Sequence, residues 1–272
     1  MIREQSFGPV RRYDLARTIL GRGRYWTAAY WVDGLLIDSG PARTAAELAR
    51  TVQDLPLQRI ATTHSHEDHI GAHGLLQSQR RVPIAAHPAA LPTLADPARL
   101  RLQWYRRFFW GWPAPCRAEP LAPGGTLSTA RYRFQVLYTP GHSPDHICLF
   151  EPRLGWLFSG DLYVGGEDQV LGPERDIWAI IQSLKRIAAL PLTVLFPGSA
   201  RIRQDPLPAI QRKIAYLEEL GERVLDLHRR GWSAGRIARH LLGGPNAVEL
   251  ITAGNFSRRH LVLSYLRNGQ AR

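Results

Sequence analysis

Between residues 60 and 71 the chain reads IATTHSHEDHIG, and this stretch limits what it can fold into more than any other. His64, His66, Asp68 and His69 put three imidazoles and a carboxylate into six residues. Such groups are costly to bury unpartnered. They are also the ligands that zinc and similar borderline metals prefer. Residues 57–63 read as a short strand, and Ile70, Leu75 and Leu76 follow at roughly helical spacing. The cluster is therefore expected on a strand-to-helix loop. His64 and His66 are two apart, so an extended backbone points them to one side. Asp68 and His69 come as the chain turns and can face a second point. The spacing suggests two adjacent metal positions. The helical zinc motif His-Glu-x-x-His is absent, because His66 and His69 are three residues apart.

His64-x-His66-x-Asp68-His69 resembles the metal-binding motif of the metallo-β-lactamase superfamily. Further matches stand in the order of that family. The stretch Thr139-Pro-Gly-His142 resembles its third motif, with His142 as a ligand. The stretch Ser159-Gly-Asp161 resembles its fourth, with Asp161 as the bridging carboxylate. Each ends an apolar run, at 134–138 and 156–158, as the family's sandwich requires. The resemblance covers about residues 10–200. It implies an α/β fold: an αββα sandwich over residues 1–204 with an α-helical C-terminal extension over 205–272. It assigns His64, His66 and His142 to a first metal, and Asp68, His69 and Asp161 to a second. Zinc is the expected cofactor, as one or two ions, with iron or manganese as alternatives. Asp38, at the end of an early strand, is expected to orient the histidine loop. His87, at the end of the strand 82–87, is a weaker candidate to line the site.

One position departs from the family pattern. Its fifth motif is usually Pro-Gly-His, whereas this chain has Pro197-Gly198-Ser199. A hydroxyl is a much poorer zinc ligand than an imidazole, so the second site is expected to be weakened.

Composition narrows the partners. The 272 residues carry 35 Lys and Arg against 23 Asp and Glu, a net charge of +12. That balance favours an anionic small-molecule substrate or nucleic acid, although genomic base usage can also raise arginine content. The start of the chain has no secretory h-region, and no apolar run is long enough to span a membrane. With two cysteines only, a cytoplasmic location is expected. Residues 100–112, LRLQWYRRFFWGW, mix six aromatics with arginines. They read as a wall for a substrate that is partly apolar and partly anionic, with Arg106 and Arg107 as binding candidates. An amphipathic helix packed on the sandwich, or a membrane-surface contact, fits the same stretch. Residues 233–241 resemble the first helix of a helix-turn-helix, but a covering layer of helices is favoured over a nucleic-acid reader.

Together these features point to a hydrolase in which a metal lowers the pKa of a bound water. Asp68 is expected to be both ligand and proton acceptor. A thioester of glutathione or CoA type is the favoured substrate. Phosphodiester or RNA cleavage is the first alternative. A mono-iron oxygenase resembling the superfamily's persulfide dioxygenases is the second.

Overall fold

The computed structural model describes residues 1–268. Residues 269–272, the end of the expected extension, lie outside the described residues. The first sheet runs in chain order through β1 (Ile2–Phe7), β2 (Val10–Ile19), β3 (Arg22–Val32), β4 (Leu35–Ile37), β5 (Arg59–Ala61), β6 (Ile84–Ala86) and β7 (Ala118–Pro120). It is antiparallel as far as β4 and parallel from β4 to β7. The second sheet holds β8 (Thr126–Ser128), β9 (Arg133–Tyr138), β10 (Ile147–Glu151), β11 (Trp156–Gly160), β12 (Val194–Pro197) and β13 (Arg203–Gln204), in the order β13-β12-β11-β10-β9-β8. The helices are α1 (Ala45–Thr51), α2 (His73–Arg80), α3 (Leu91–Ala95), α4 (Trp104–Trp110), α5 (Ile177–Ala188), α6 (Leu207–Arg229), α7 (Ala234–Leu242), α8 (Ala247–Ile251) and α9 (Arg258–Asn268).

The period of two along the strands builds the layers. On β3, Ala28, Tyr30 and Val32 point between the sheets, while Ala29 joins the outer cluster. On β10, Ile147 and Leu149 face inward, and Cys148 and Phe150 face the helices. The central layer closes with Phe134, Phe158 and Phe196 against Tyr30. Outside the first sheet, Leu48 of α1 and Leu76 of α2 cover Leu36, Ile60 and Ile84. Outside the second, Ile181 and Leu184 of α5 pack with Leu217 of α6 and Tyr265 of α9. The result is the expected αββα sandwich. The helices after residue 206 are continuous with the layer that α5 begins: Tyr265 donates to the Leu217 carbonyl at 2.7 Å, and Ile177 N–H donates to Ser264 at 2.9 Å.

Cys116 and Cys148 are buried, free thiols. Among the described residues no helix is long and apolar enough to cross a membrane. Strands β9, β11 and β12 all end at the same edge of the sandwich, because β9 and β11 are both antiparallel to β10 and β12 is parallel to β11. Strand β5 ends there too, since Ile147 N–H at the start of β10 donates to the Thr63 carbonyl just past β5 at 2.8 Å. The loops that leave this edge carry the motif residues.

Candidate metal centre

The loop between β5 and α2 is fixed from below by the end of β4. Ser39 N–H donates to the His69 carbonyl at 2.7 Å, and Gly71 N–H donates to the Gly40 carbonyl at 2.7 Å. Asp38 stands between them with φ of +59°, a left-handed conformation that Asp tolerates better than most residues. Its Oδ1 accepts from Thr63 N–H at 2.8 Å. Its Oδ2 accepts from the Thr63 hydroxyl at 2.7 Å and lies 2.8 Å from His69 Nδ1. The carboxylate therefore holds the Nδ1 proton of His69 and leaves Nε2 to face the cleft. His73 is buried beneath the loop between Ser39 Oγ at 2.6 Å and Thr62 Oγ1 at 2.7 Å.

Five of the six expected ligands converge in two overlapping groups, His64 with His66 and His142, and His64 with His69 and Asp161. His66 Nδ1 lies 3.0 Å from both His64 Nε2 and His142 Nε2. Nitrogens bound tetrahedrally to one zinc at normal bond lengths lie about 3.3 Å apart, so the first group has the dimensions of a coordination shell. Asp161 reaches both groups: Oδ2 is 3.7 Å from His142 Nε2, and Oδ1 is 3.5 Å from His69 Nε2. Asp68 stands further off, with Oδ2 3.9 Å from His69 Nε2, and accepts a hydrogen bond from the Thr27 hydroxyl at 3.2 Å. His69 Nε2 is buried with no hydrogen-bond partner among the described residues. An orphaned imidazole nitrogen facing the carboxylates of Asp68 and Asp161 is costly without a cation beside it. The donor set thus fits a metal.

The electrostatics favour ligation at the first position. Burial, with neighbouring cations and imidazoles, holds His64, His66 and His142 well below the usual imidazole range. All three are therefore neutral, the form that binds metal. Burial also opposes a charge on His69, but Asp161, Asp38 and Asp68 outweigh it and raise its pKa well above the usual range, so His69 must give up its Nε2 proton to ligate. Burial likewise opposes a charge on Asp161, but His69 and Arg175 outweigh it and hold its carboxyl low.

The other sequence candidates fall in different places. Ser199 donates to Asp161 Oδ1 at 3.1 Å. The preceding residue must be glycine, because a Cβ at Gly198 would lie 2.6 Å from Asp161 Oδ1 and 2.8 Å from His69 Cε1. His146 is bonded to Thr139 Oγ1 at 2.8 Å and accepts from Asp161 N–H at 3.2 Å. His87 stacks on Tyr138 with ring centroids 5.0 Å apart and does not line the cleft. The guanidinium of Arg106 is engaged bidentately by buried Glu67, at 2.5 and 2.8 Å. It lines the cleft, but that pairing leaves little of it for a ligand. Arg107 is exposed and lies over Trp112.

The centre opens onto two adjoining lobes of about 470 and 400 Å³ that share Asp161, Arg175 and Phe256. Tyr25, Trp26 and Trp110 line the first lobe. A register shift between Leu15 and Arg17 in the β2–β3 ladder, with Tyr25 at a φ of +55°, accompanies the turn of Tyr25 and Trp26 toward the site. Arg175 was not legible in the sequence. It precedes Asp176, the N-cap of α5, and stacks on Phe256, which is 81 positions away. Its Nε is buried without a hydrogen-bond partner among the described residues. The Asp176 cap was a usable signal for the start of the helix, but nothing local indicated that Arg175 reaches the cleft.

A family model described as metallo-beta-lactamase superfamily matches residues 27–199. A hydroxyacylglutathione hydrolase of Legionella pneumophila (strain Paris) is 30% identical over 138 residues, which are 50% of this chain and 46% of the relative. An atrochrysone carboxyl ACP thioesterase of Aspergillus fumigatus is 27% identical over 223 residues, 80% of this chain and 64% of the relative. The chain thus spans less than two thirds of either enzyme. Among solved structures, a metallo-beta-lactamase family protein from Thermus thermophilus superposes with a TM-score of 0.67, at 23% identity, over 96% of this chain and 94% of its own. The protein TTHA1623, in a di-iron-bound form, gives 0.56 at 32% identity over 71% and 96%.

Proposed function

The chain belongs to the metallo-beta-lactamase superfamily, and from that premise we propose that it is a metal-dependent hydrolase of thioesters whose carrier portion is anionic. The observation that carries this reading is the cleft. An apolar wall of Tyr25, Trp26, Trp110 and Phe256 suits an acyl group, and Arg175, which lines the same cleft, offers a positive charge to an anion. The named activities of the two curated relatives, a glutathione thioester hydrolase and a carrier-protein thioesterase, support the same class.

His64, His66 and His142 would hold the first metal, and His69, Asp68 and Asp161 the second, with Asp161 shared. A metal bound there supplies Lewis acidity and lowers the pKa of a coordinated water. Asp68, with one oxygen near the Thr27 hydroxyl and 15% of its side chain exposed, can take a proton from that water. Asp38 and His146 keep His69 and Asp161 in place. Arg175 binds the carrier, and its stacking on Phe256 fixes the plane of the guanidinium. Ser199 leaves the second position with fewer nitrogen donors. A thioester carbonyl tolerates that, whereas phosphodiester cleavage gains more from two well-held metals.

The test is a substrate panel with protein loaded separately with zinc, manganese and iron. Iron is included because of the di-iron relative. Hydrolysis of glutathione or CoA thioesters, lost on His66→Ala and Asp68→Ala, is the expected result. Cleavage of a phosphodiester reporter with no thioester turnover would replace this reading with a nuclease. Oxygen uptake with a glutathione persulfide on the iron form would replace it with an oxygenase.

A further inference from the structure

The aromatic stretch at 100–112 folds with its polarity reversed. On α4, Tyr105 and Arg106 are buried, while Trp104 is 65% exposed and Phe108 42% exposed; Trp112, just beyond the helix, is 41% exposed. A helix that covers a core normally points its apolar stripe inward. Here the outward positions, i and i+4, are a tryptophan and a phenylalanine. The neighbouring β2–β3 hairpin shows the same reversal. Leu20, at its tip, is 97% exposed and holds a left-handed φ of +49°. The two elements form one surface. Arg17 lies over the Phe108 ring at 4.0 Å and donates to the Phe108 carbonyl, and Tyr25 packs edge-on against Phe109 at 4.4 Å.

The two segments that form this surface carry charge of one sign. Residues 15–26 and 97–117 contain no Asp or Glu. Arg22, Arg24, Arg101 and Arg107 are exposed, and none of them forms an ion pair among the described residues. Convex apolar tips surrounded by unpaired arginines match the interfacial zone of a bilayer, where tryptophan and leucine enter the acyl boundary and arginine meets lipid phosphates.

We propose that the β2–β3 hairpin tip and the outward face of α4 dock this protein on an anionic lipid surface, with the mouth of the cleft held at the membrane. Tyr25 and Trp110 link the two features, since both line the cleft and both contact the docking elements. The proposal is independent of the reaction class, because it concerns where the cleft opens and not what is cleaved there.

The test is co-sedimentation of the full chain with vesicles of phosphatidylcholine alone and of phosphatidylcholine with an equal part of phosphatidylglycerol. Tryptophan emission is read in parallel. Binding to the anionic vesicles is expected, with a blue shift and a fall in affinity as salt rises. Leu20→Asp combined with Trp104→Ala should weaken it about tenfold or more. Leu154→Asp, at the end of the sandwich remote from the metal loops, should leave it unchanged. Melting curves confirm that the variants are folded. No binding to anionic vesicles at low salt overturns the proposal, as does binding that the double variant leaves intact. Self-association of the chain that is lost in the double variant, with no lipid binding, also overturns it and assigns the surface to a second copy.

Discussion

Asp38→Asn isolates the role of one buried carboxylate, because asparagine keeps the shape and tolerates the left-handed backbone at this position. The orientation of the new amide is dictated by Thr63, whose N–H donates to Oδ1 at 2.8 Å. The amide oxygen must stay there, which turns the NH2 group toward His69 Nδ1, now 2.8 Å from Oδ2. Two donors cannot face each other, so Nδ1 must become the acceptor and the proton must move to Nε2. Nε2 is the orphaned nitrogen that faces Asp161 and Asp68, and a protonated nitrogen cannot ligate. The second metal should therefore bind about 10- to 100-fold more weakly, or about 1.4–2.7 kcal/mol. The first position, built from His64, His66 and His142, should keep its affinity. Loss of the charge-assisted bond should cost the metal-free fold about 1.5–3 kcal/mol. Zinc titration calorimetry on the metal-free protein, with metal content after dialysis, reads both positions separately. A second equivalent bound as tightly as in the parent chain, with unchanged melting, would refute the tautomer argument.

Ser199→His adds a nitrogen beside Asp161, so the second metal should dialyse away more slowly; unchanged stoichiometry would count against the ligand assignment. Arg106→Ala strands the fully buried Glu67 carboxylate and should destabilise the protein by about 3–5 kcal/mol, seen as a lowered melting temperature. Pairing it with Glu67→Leu should restore much of that loss. Arg175→Met should raise KM for anionic thioesters by about tenfold while changing kcat little, with an uncharged thioester as the control. Burial lowers the pKa of His73 to about 4, against 6.5 for a free imidazole. The unfolded chain therefore takes up this proton first as pH falls. Stability from His73 is complete above about pH 6.5 and is lost toward pH 4, by about 3 kcal/mol in total. Denaturant melts of the metal-free protein across that range should show the fall, and His73→Gln should flatten it.

Much of this protein is local in origin and was legible as sequence. His64, His66, Asp68 and His69 lie within one loop, so backbone geometry alone brings them to neighbouring points. The strands that aim His142, Asp161 and Ser199 announce themselves by short apolar runs, and α5 to α7 by their apolar stripes. The contacts that only the tertiary structure decided join residues distant in the chain, across sheets and helices whose packing no local pattern encodes. Asp38 meets His69 across 31 positions, Arg106 meets Glu67 across 39, and Arg175 meets Phe256 across 81. Arg106 and Arg107 are adjacent and chemically alike, yet one is locked in a buried pair and the other stands on an exposed rim. Helical phase separates them, and the phase of α4 is set by Tyr105, whose hydroxyl is tied to Asn255 at 2.7 Å. Composition could show that arginine and aromatic residues were interleaved there, but only packing against the C-terminal segment determined which of them face water.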